Sequence, residues 1–259
     1  MSLDLWGLGS TGTEEPLRAA WSQLCPPRGR PQAFRPEIAS ALPEPARRWI
    51  RHAIVAGTPM WRSVELHMEG EIRVRGWRRF VGREVLAPPC GYFWTARTRM
   101  FGVPVSGFDR FSATSGEMRW HALGTVPVLH AGGSDVSRSA AGRLAAEAVW
   151  LPTSFGSARW LAGDDADTAV ARWHISPGRQ RVELRVAPDG VLRGVRMMRW
   201  GNPDGVPFGW YPFGVTVEEE RRFGGVTIPS MVRASWFVGT DRAETGEFFR
   251  ARVTRALFH

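Results

Sequence analysis

Val64-Glu65-Leu66-His67-Met68-Glu69-Gly70-Glu71-Ile72-Arg73-Val74 alternates from end to end. Val64, Leu66, Met68, Ile72 and Val74, with Gly70 among them, fall on one side of an extended chain. Glu65, His67, Glu69, Glu71 and Arg73 fall on the other. A period of two marks a strand buried on one face only, and strands of that kind belong to antiparallel sheets.

The same reading extends outward. Downstream, Trp77–Leu86, Tyr92–Phe101, Val103–Phe111 and Glu117–Leu123 read as strands. Ser134–Trp150 then reads as a helix, with Ser134 or Asp135 as its cap and Leu151-Pro152 as its stop. Strands resume at Ala169–Ile175, and Gln180–Ala187 and Val191–Arg199 form a hairpin around the turn Pro188-Asp189-Gly190. A glycine- and proline-rich loop, Trp200–Gly214, precedes the strands Val215–Phe223, Val226–Phe237 and Gly246–Phe258, with Gly224-Gly225 as a tight turn. Upstream, Ala39–Ala56 reads as a helix with Pro43 and Pro45 in its first turn. A short helix, Glu14–Leu24, lies in a segment dominated by proline, glycine and serine. Runs of strands joined by short turns predict a mostly β, α+β fold. It is a curved antiparallel sheet of about nine to eleven strands with helices on its concave face. Residues 1–36 are expected to form a separate N-terminal segment making few core contacts, and residues 37–259 one β-rich domain.

Composition narrows the function classes. A chain of 259 residues, 43% of them hydrophobic, buries enough surface to need no disulfide or metal staple. The sequence has no lysine, so all 34 basic residues are arginine; it has one asparagine, Asn202, and 13 tryptophans against 2 tyrosines. The codon usage of a GC-rich genome explains that bias. The net charge of +9 comes from scattered arginines, paired at most, as in Arg47-Arg48, Arg78-Arg79 and Arg221-Arg222. Without a recognition motif they do not argue for nucleic acid as a partner. Cys25 and Cys90 stand outside any metal-binding spacing and read as structural thiols in a reducing compartment, with a disulfide between them left open. No stretch reaches roughly 18 apolar residues, and Met1–Glu15 carries Asp4, Glu14 and Glu15 with no basic leader. The expected location is the cytoplasm, with no membrane span. None of the six histidines falls at a metal spacing, and the nucleophile-elbow, P-loop and dinucleotide-binding motifs are all missing. No cofactor or metal is expected.

Several motifs together resemble a bacterial family of unknown function. They are Arg138-Ser139-Ala140-Ala141-Gly142-Arg143-Leu144-Ala145-Ala146-Glu147-Ala148-Val149-Trp150-Leu151-Pro152, Arg199-Trp200-Gly201-Asn202-Pro203-Asp204-Gly205, Pro212-Phe213-Gly214 and Phe223-Gly224-Gly225-Val226-Thr227-Ile228-Pro229-Ser230. Gly107-Phe108-Asp109-Arg110 and Gly116-Glu117-Met118-Arg119-Trp120 fit as well. The similarity covers roughly residues 40–259 and brings no activity with it. The order of elements, with a late strand–Gly–strand hairpin ending in Ile-Pro, is also similar to the lipoprotein-carrier fold of LolA and LolB. That resemblance implies a half-open barrel whose concave face, lidded by helices, holds acyl chains. The leader that a secreted carrier carries is not found here.

Chemistry concentrates on the helix Ser134–Trp150. At the helical period, Val136, Ala140, Leu144 and Leu151 share one stripe of roughly 80°. Glu147 falls inside that stripe, with Arg143 and Trp150 at its border. A carboxylate mid-stripe is costly unless paired. Arg143 precedes Glu147 by four residues, the weaker order for an exposed ion pair, which favours a buried role. Glu147, Arg143 and Asp109 are therefore the candidate acid/base groups, alongside the reading of Arg143–Glu147 as a structural pair. Trp150, Trp210, Tyr211, Phe213 and Trp236 are the candidate ligand-binding aromatics, most of them on the glycine-rich loop. Two functions stay open. One is binding of a hydrophobic small molecule (lipid-, terpenoid- or polyketide-like) in the cavity of the curved sheet. The other is a cofactor-free cyclase, isomerase or dehydratase of natural-product biosynthesis using the same cavity.

Overall fold

The computed structural model describes residues 11–24 and 31–259. Among them, thirteen strands form one antiparallel sheet. The first run is β1 (Val64–Arg73), β2 (Trp77–Ala87), β3 (Gly91–Met100), β4 (Val103–Ser112), β5 (Ser115–Ala122) and β6 (Val126–Ala131). The second is β7 (Arg159–Ala162), β8 (Thr168–Ile175), β9 (Gly178–Val186), β10 (Leu192–Gly201), β11 (Gly209–Phe223), β12 (Val226–Trp236) and β13 (Glu247–Phe258). The helices are α1 (Thr11–Leu24), α2 (Glu44–Ala53) and α3 (Ser134–Glu147), which links the two runs.

The sheet order is β6-β5-β4-β3-β2-β1-β13-β12-β11-β10-β9-β8-β7. Each run is a meander of nearest neighbours. The two join at one long-range ladder, β1 against β13, where Val64 faces Phe258 and Ile72 faces Phe249. α3 packs against β3, β4 and β5 and also against β8, β9 and β10. Five strands separate β3 from β10 in the sheet, so one helix touches both wings only because the sheet curls round it. The result is the expected half-barrel. Tight hairpins make the meander; at Arg75-Gly76 and Phe101-Gly102 both central residues have positive φ, the backbone that matches the twist of the flanking strands.

The two strands beyond the expected nine to eleven are the sheet's edges. β6 carries Pro127 and is exposed along its length, and β7 has four residues. Edge strands are kept short or interrupted by proline, which erases the pattern by which a strand is read. The expected loop 200–214 is also corrected. Only the segment around the 3-10 turn Pro203–Gly205 is loop, while Trp200 and Gly201 pair with Trp210 and Gly209 as the end of a hairpin. Its aromatics are strand formers. α2 begins later than expected, at Glu44, because Pro43 and Pro45 lack the N–H groups a longer helix needs. α3 has Gly133 at its N-cap and no side-chain cap, so neither Ser134 nor Asp135 serves. It ends at Glu147, and a 3-10 turn, Ala148–Trp150, continues it.

The inner face of β1 is the one carrying Val64, Leu66 and Met68, all at most 2% exposed. The outer face is mostly charged. There Arg250 faces Glu71 at 3.6 Å, Arg252 faces Glu219 at 3.1 Å and Arg233 faces Glu247 at 3.0 Å. Register shifts in β11 turn Glu220 away from its neighbours to His52 of α2, 2.7 Å away. Cys90 is a free, exposed thiol, and Cys25 lies outside the described residues. The N-terminal segment departs from expectation. Trp21 is 3% exposed and packs with Val85, Phe93 and Phe108 on the outer face, edge-on to Phe93 at 5.9 Å. Phe34 belongs to the main core. Trp21→Ala is therefore expected to cost about 3 kcal/mol, read as a lowered midpoint in chemical denaturation with an unchanged slope.

Candidate functional site

Polar residues break into the inner face along one row of cross-strand neighbours. Leu66 faces Glu84, Glu84 faces Trp94, Trp94 faces Asp109, and Asp109 faces Met118. Glu84 is fully buried and Asp109 is 9% exposed. Each occupies a position where the strand otherwise presents apolar or small residues: Phe80, Gly82 and Leu86 in β2, Val105, Gly107 and Phe111 in β4.

α3 supplies the counter-charge. Arg143 lies over the ring of Trp94 at 5.1 Å and of Tyr92 at 4.5 Å. Its Nη2 donates to Glu84 Oε1 and its Nη1 to Asp109 Oδ2, both at 3.2 Å. Its Nε donates to Glu147 Oε1 at 2.7 Å. Glu147 and Arg143 of one helix thus meet Asp109 of a distant strand at one point, and Glu84 joins them.

Three carboxylates around one guanidinium would leave two negative charges unbalanced. The second oxygens of Glu84 and Glu147 have no donor among the described residues. Burial, and then the negative field of Glu147, push the Glu84 carboxyl well above its ordinary range, and a hydrogen bond to Glu147 adds to this. A proton held on Glu84 and donated to Glu147 satisfies both oxygens. Burial also raises the Asp109 carboxyl, against the pull of Arg143 and of the Trp120 Nε1–H that donates to it at 2.9 Å. The carboxylates around it outweigh desolvation at Arg143 and hold its guanidinium above its ordinary value.

Beside this cluster lies a cavity of about 760 Å³. Arg143, Glu147 and Ala140 of α3 form its roof, and Phe213, Trp236 and Phe249 of the central strands form much of its floor. Tyr92 and Trp94 close one side, and Leu129 and Phe208 lie in the lining nearer the sheet's edge and the β10–β11 loop. Of the aromatics read from sequence, Trp150, Phe213 and Trp236 line the cavity. Trp150 also donates to Pro229 O at 3.0 Å. Trp210 and Tyr211 do not reach it. Trp210 is half exposed against Trp200, and Tyr211 packs on Phe237 and donates to Pro207 O.

Sequence reading missed Arg199. In β10, Val195, Met197 and Arg199 share the buried face, so strand alternation carried the same signal that singled out Glu147. Arg199 is 9% exposed and lies against the rings of Phe213 (4.8 Å) and Trp236 (5.0 Å), which meet edge to face at 5.2 Å. Its Nε and Nη2 donate at long range, 3.4 Å each, to Ser139 O of α3. Burial lowers its pKa to about 10, so it stays charged near neutrality. Among the described residues no group of three or more His, Cys, Asp or Glu side chains is placed to hold a metal ion. No helix among them is long and apolar enough to cross a membrane.

The raised Glu84 carboxyl gives a pH dependence with a definite sign. Above the ordinary value of 4.5 the unfolded chain releases a proton that the folded chain keeps. Unfolding free energy therefore falls as pH rises, by about 1.4 kcal/mol for each pH unit, until the folded group titrates. Carboxyls held below their ordinary values, such as Glu65 and Glu117, act in the acid range instead. Glu84→Gln donates to Glu147 without titrating. Chemical denaturation is expected to find this variant equal to the parent near pH 4.5 and more stable at pH 8 by more than about 1 kcal/mol.

A family model described as "Family of unknown function (DUF6544)" matches residues 32–248. No curated protein matches the chain. Two solved structures are similar in fold. One is a domain assigned to outer membrane lipoprotein sorting from Vibrio parahaemolyticus, with 10% identity, a TM-score of 0.45, and 85% of this chain and 93% of that one covered. The other is a LolA superfamily protein from Nitrosomonas europaea, with 12% identity, a TM-score of 0.42 and the same coverage.

Proposed function

This chain belongs to DUF6544, a family of unknown function, and we propose that it binds a hydrophobic small molecule, lipid-, terpenoid- or polyketide-like, between α3 and the inner face of its curled sheet. One observation carries this reading. The inner face is not packed shut but leaves a cavity of about 760 Å³ walled by aromatic rings. That size falls within the ~300–1,000 Å³ typical of small-molecule sites. The walls combine apolar surface with a few convergent polar groups, the composition such sites use for affinity and orientation.

A second reading keeps the cavity and adds chemistry: a cofactor-free cyclase, isomerase or dehydratase. What supports it is the position of Glu147, which lines the cavity and faces Glu84, whose carboxyl is held well above its ordinary range by burial and the field of Glu147. A general acid needs a positioned proton and a pocket that excludes water.

Binding is tested with the uncharged dye Nile red. The parent is expected to bind it with a blue shift in emission. Ala234→Phe, which sets a ring into the cavity from β12, is expected to weaken that binding at least tenfold while leaving circular dichroism unchanged. A parent protein that leaves the dye's emission at its value in water sinks the proposal.

A further inference from the structure

The cavity wall holds three arginines, and they are not equivalent. Arg110 is paired with Glu117 at 2.6 Å. Arg143 is consumed by Glu84, Asp109 and Glu147. Arg199 has no carboxylate within ion-pair distance among the described residues; its donors reach one backbone carbonyl at the outer limit of hydrogen bonding. Asp109 and Glu147 act on it only through their longer-range field, which Arg143 opposes.

A guanidinium more than nine-tenths buried, facing an aromatic cavity with one arm lacking a polar partner, is expensive to maintain. Two rings stabilise it through their faces, but a ring face does not use the planar N–H fork. That fork matches the two oxygens of a carboxylate or phosphate. The surroundings are close: β10 holds the backbone, Phe213 and Trp236 lie against the guanidinium at 4.8 and 5.0 Å, and Gly142 of α3 lies so near that a side-chain carbon added there would stand 3.1 Å from Arg199 Cγ. The guanidinium is thus held in place ahead of any partner.

We propose that Arg199 anchors the acidic head group, a carboxylate or a phosphate monoester, of an apolar molecule whose body fills the aromatic cavity. The proposal rests on the binding function proposed above and adds the polarity of the ligand. Such a molecule lies with its charged end at Arg199, beside Phe213 and Trp236, and its apolar body toward Tyr92, Trp94 and Phe249.

Four probes test it on the whole chain by displacement of Nile red: dodecanoate, dodecyl phosphate, methyl dodecanoate and dodecan-1-ol. The parent is expected to bind at least one acid tenfold or more tighter than the ester and the alcohol. Which acid leads assigns the head group. Arg199→Met keeps the apolar stem and is expected to bring all four probes to a similar affinity. Arg199→Lys, which keeps the charge without the fork, is expected to retain part of the preference. Equal affinity of the parent for acids and neutral probes overturns the head-group assignment while the binding function stands, and needs no variant. A preference that survives in folded Arg199→Met overturns the role of Arg199. Failure of the parent to bind Nile red or any of the four overturns both proposals.

Discussion

The buried guanidinium of Arg143 is the constraint round which the rest is arranged. A cation taken out of water costs several kcal/mol after relaxation, and here the cost is offset by acids brought from three places in the chain. Glu84 comes from β2, Asp109 from β4 and Glu147 from the same helix. Because Glu84 and Asp109 sit on the sheet's inner face, Arg143 ties α3 to one wing. The other wing takes hold by different contacts. Arg199 of β10 reaches Ser139 O, Trp200 Nε1 donates to Asp135, and Arg138 stacks over Trp200 at 4.3 Å. A helix tied to both wings keeps the sheet curled.

Small residues let α3 come close enough for this. At Gly116 of β5 an added side-chain carbon would stand 2.9 Å from Ser137 Cα, and the Gly116 N–H donates to Ser137 Oγ at 2.9 Å. On the other wing Gly142 plays the same part against Arg199. The helix is close at its flanks and carries long polar side chains at its centre, over the row Glu84–Trp94–Asp109. Aliphatic side chains from the helix would seal that centre. Arg143 and Glu147 do not, and the space between them and the floor remains as the cavity.

The floor depends on the seam between the chain's two meanders. Ile72 of β1 lies opposite Phe249 of β13, and Phe249 stacks on Phe80 of β2 at 5.2 Å. Trp236 and Phe248 continue the aromatic surface across β12 and β13, 6.2 Å apart. Each meander is local in sequence, whereas the seam joins opposite ends of the sheet-forming chain. The surface proposed to hold a ligand therefore exists only after the slowest kind of pairing, between distant strands, is complete.

Period two in Val64–Val74 and the turn residues after it determined strands, their inward faces and the antiparallel class, because pleat and turn geometry depend only on neighbouring residues. Period 3.6 in Ser134–Trp150 likewise placed Glu147 and Arg143 together, four residues apart on one helix. The same local logic applied to β2 and β10 marks Glu84 and Arg199 as charged residues in buried rows. Edge strands were not legible, since Pro127 in β6 and the brevity of β7 remove the alternation that marks a strand. What only the tertiary structure decided is which of these groups meet. Asp109 approaches Arg143 through the register of β3 on β4. Arg199 enters the same cavity only because the sheet bends far enough for β10 to face the wing of β3. A strand's own sequence carries its faces, but register and curl are set by the summed packing of every other strand, and those two decide why Arg143 is paired while Arg199 has no carboxylate beside it.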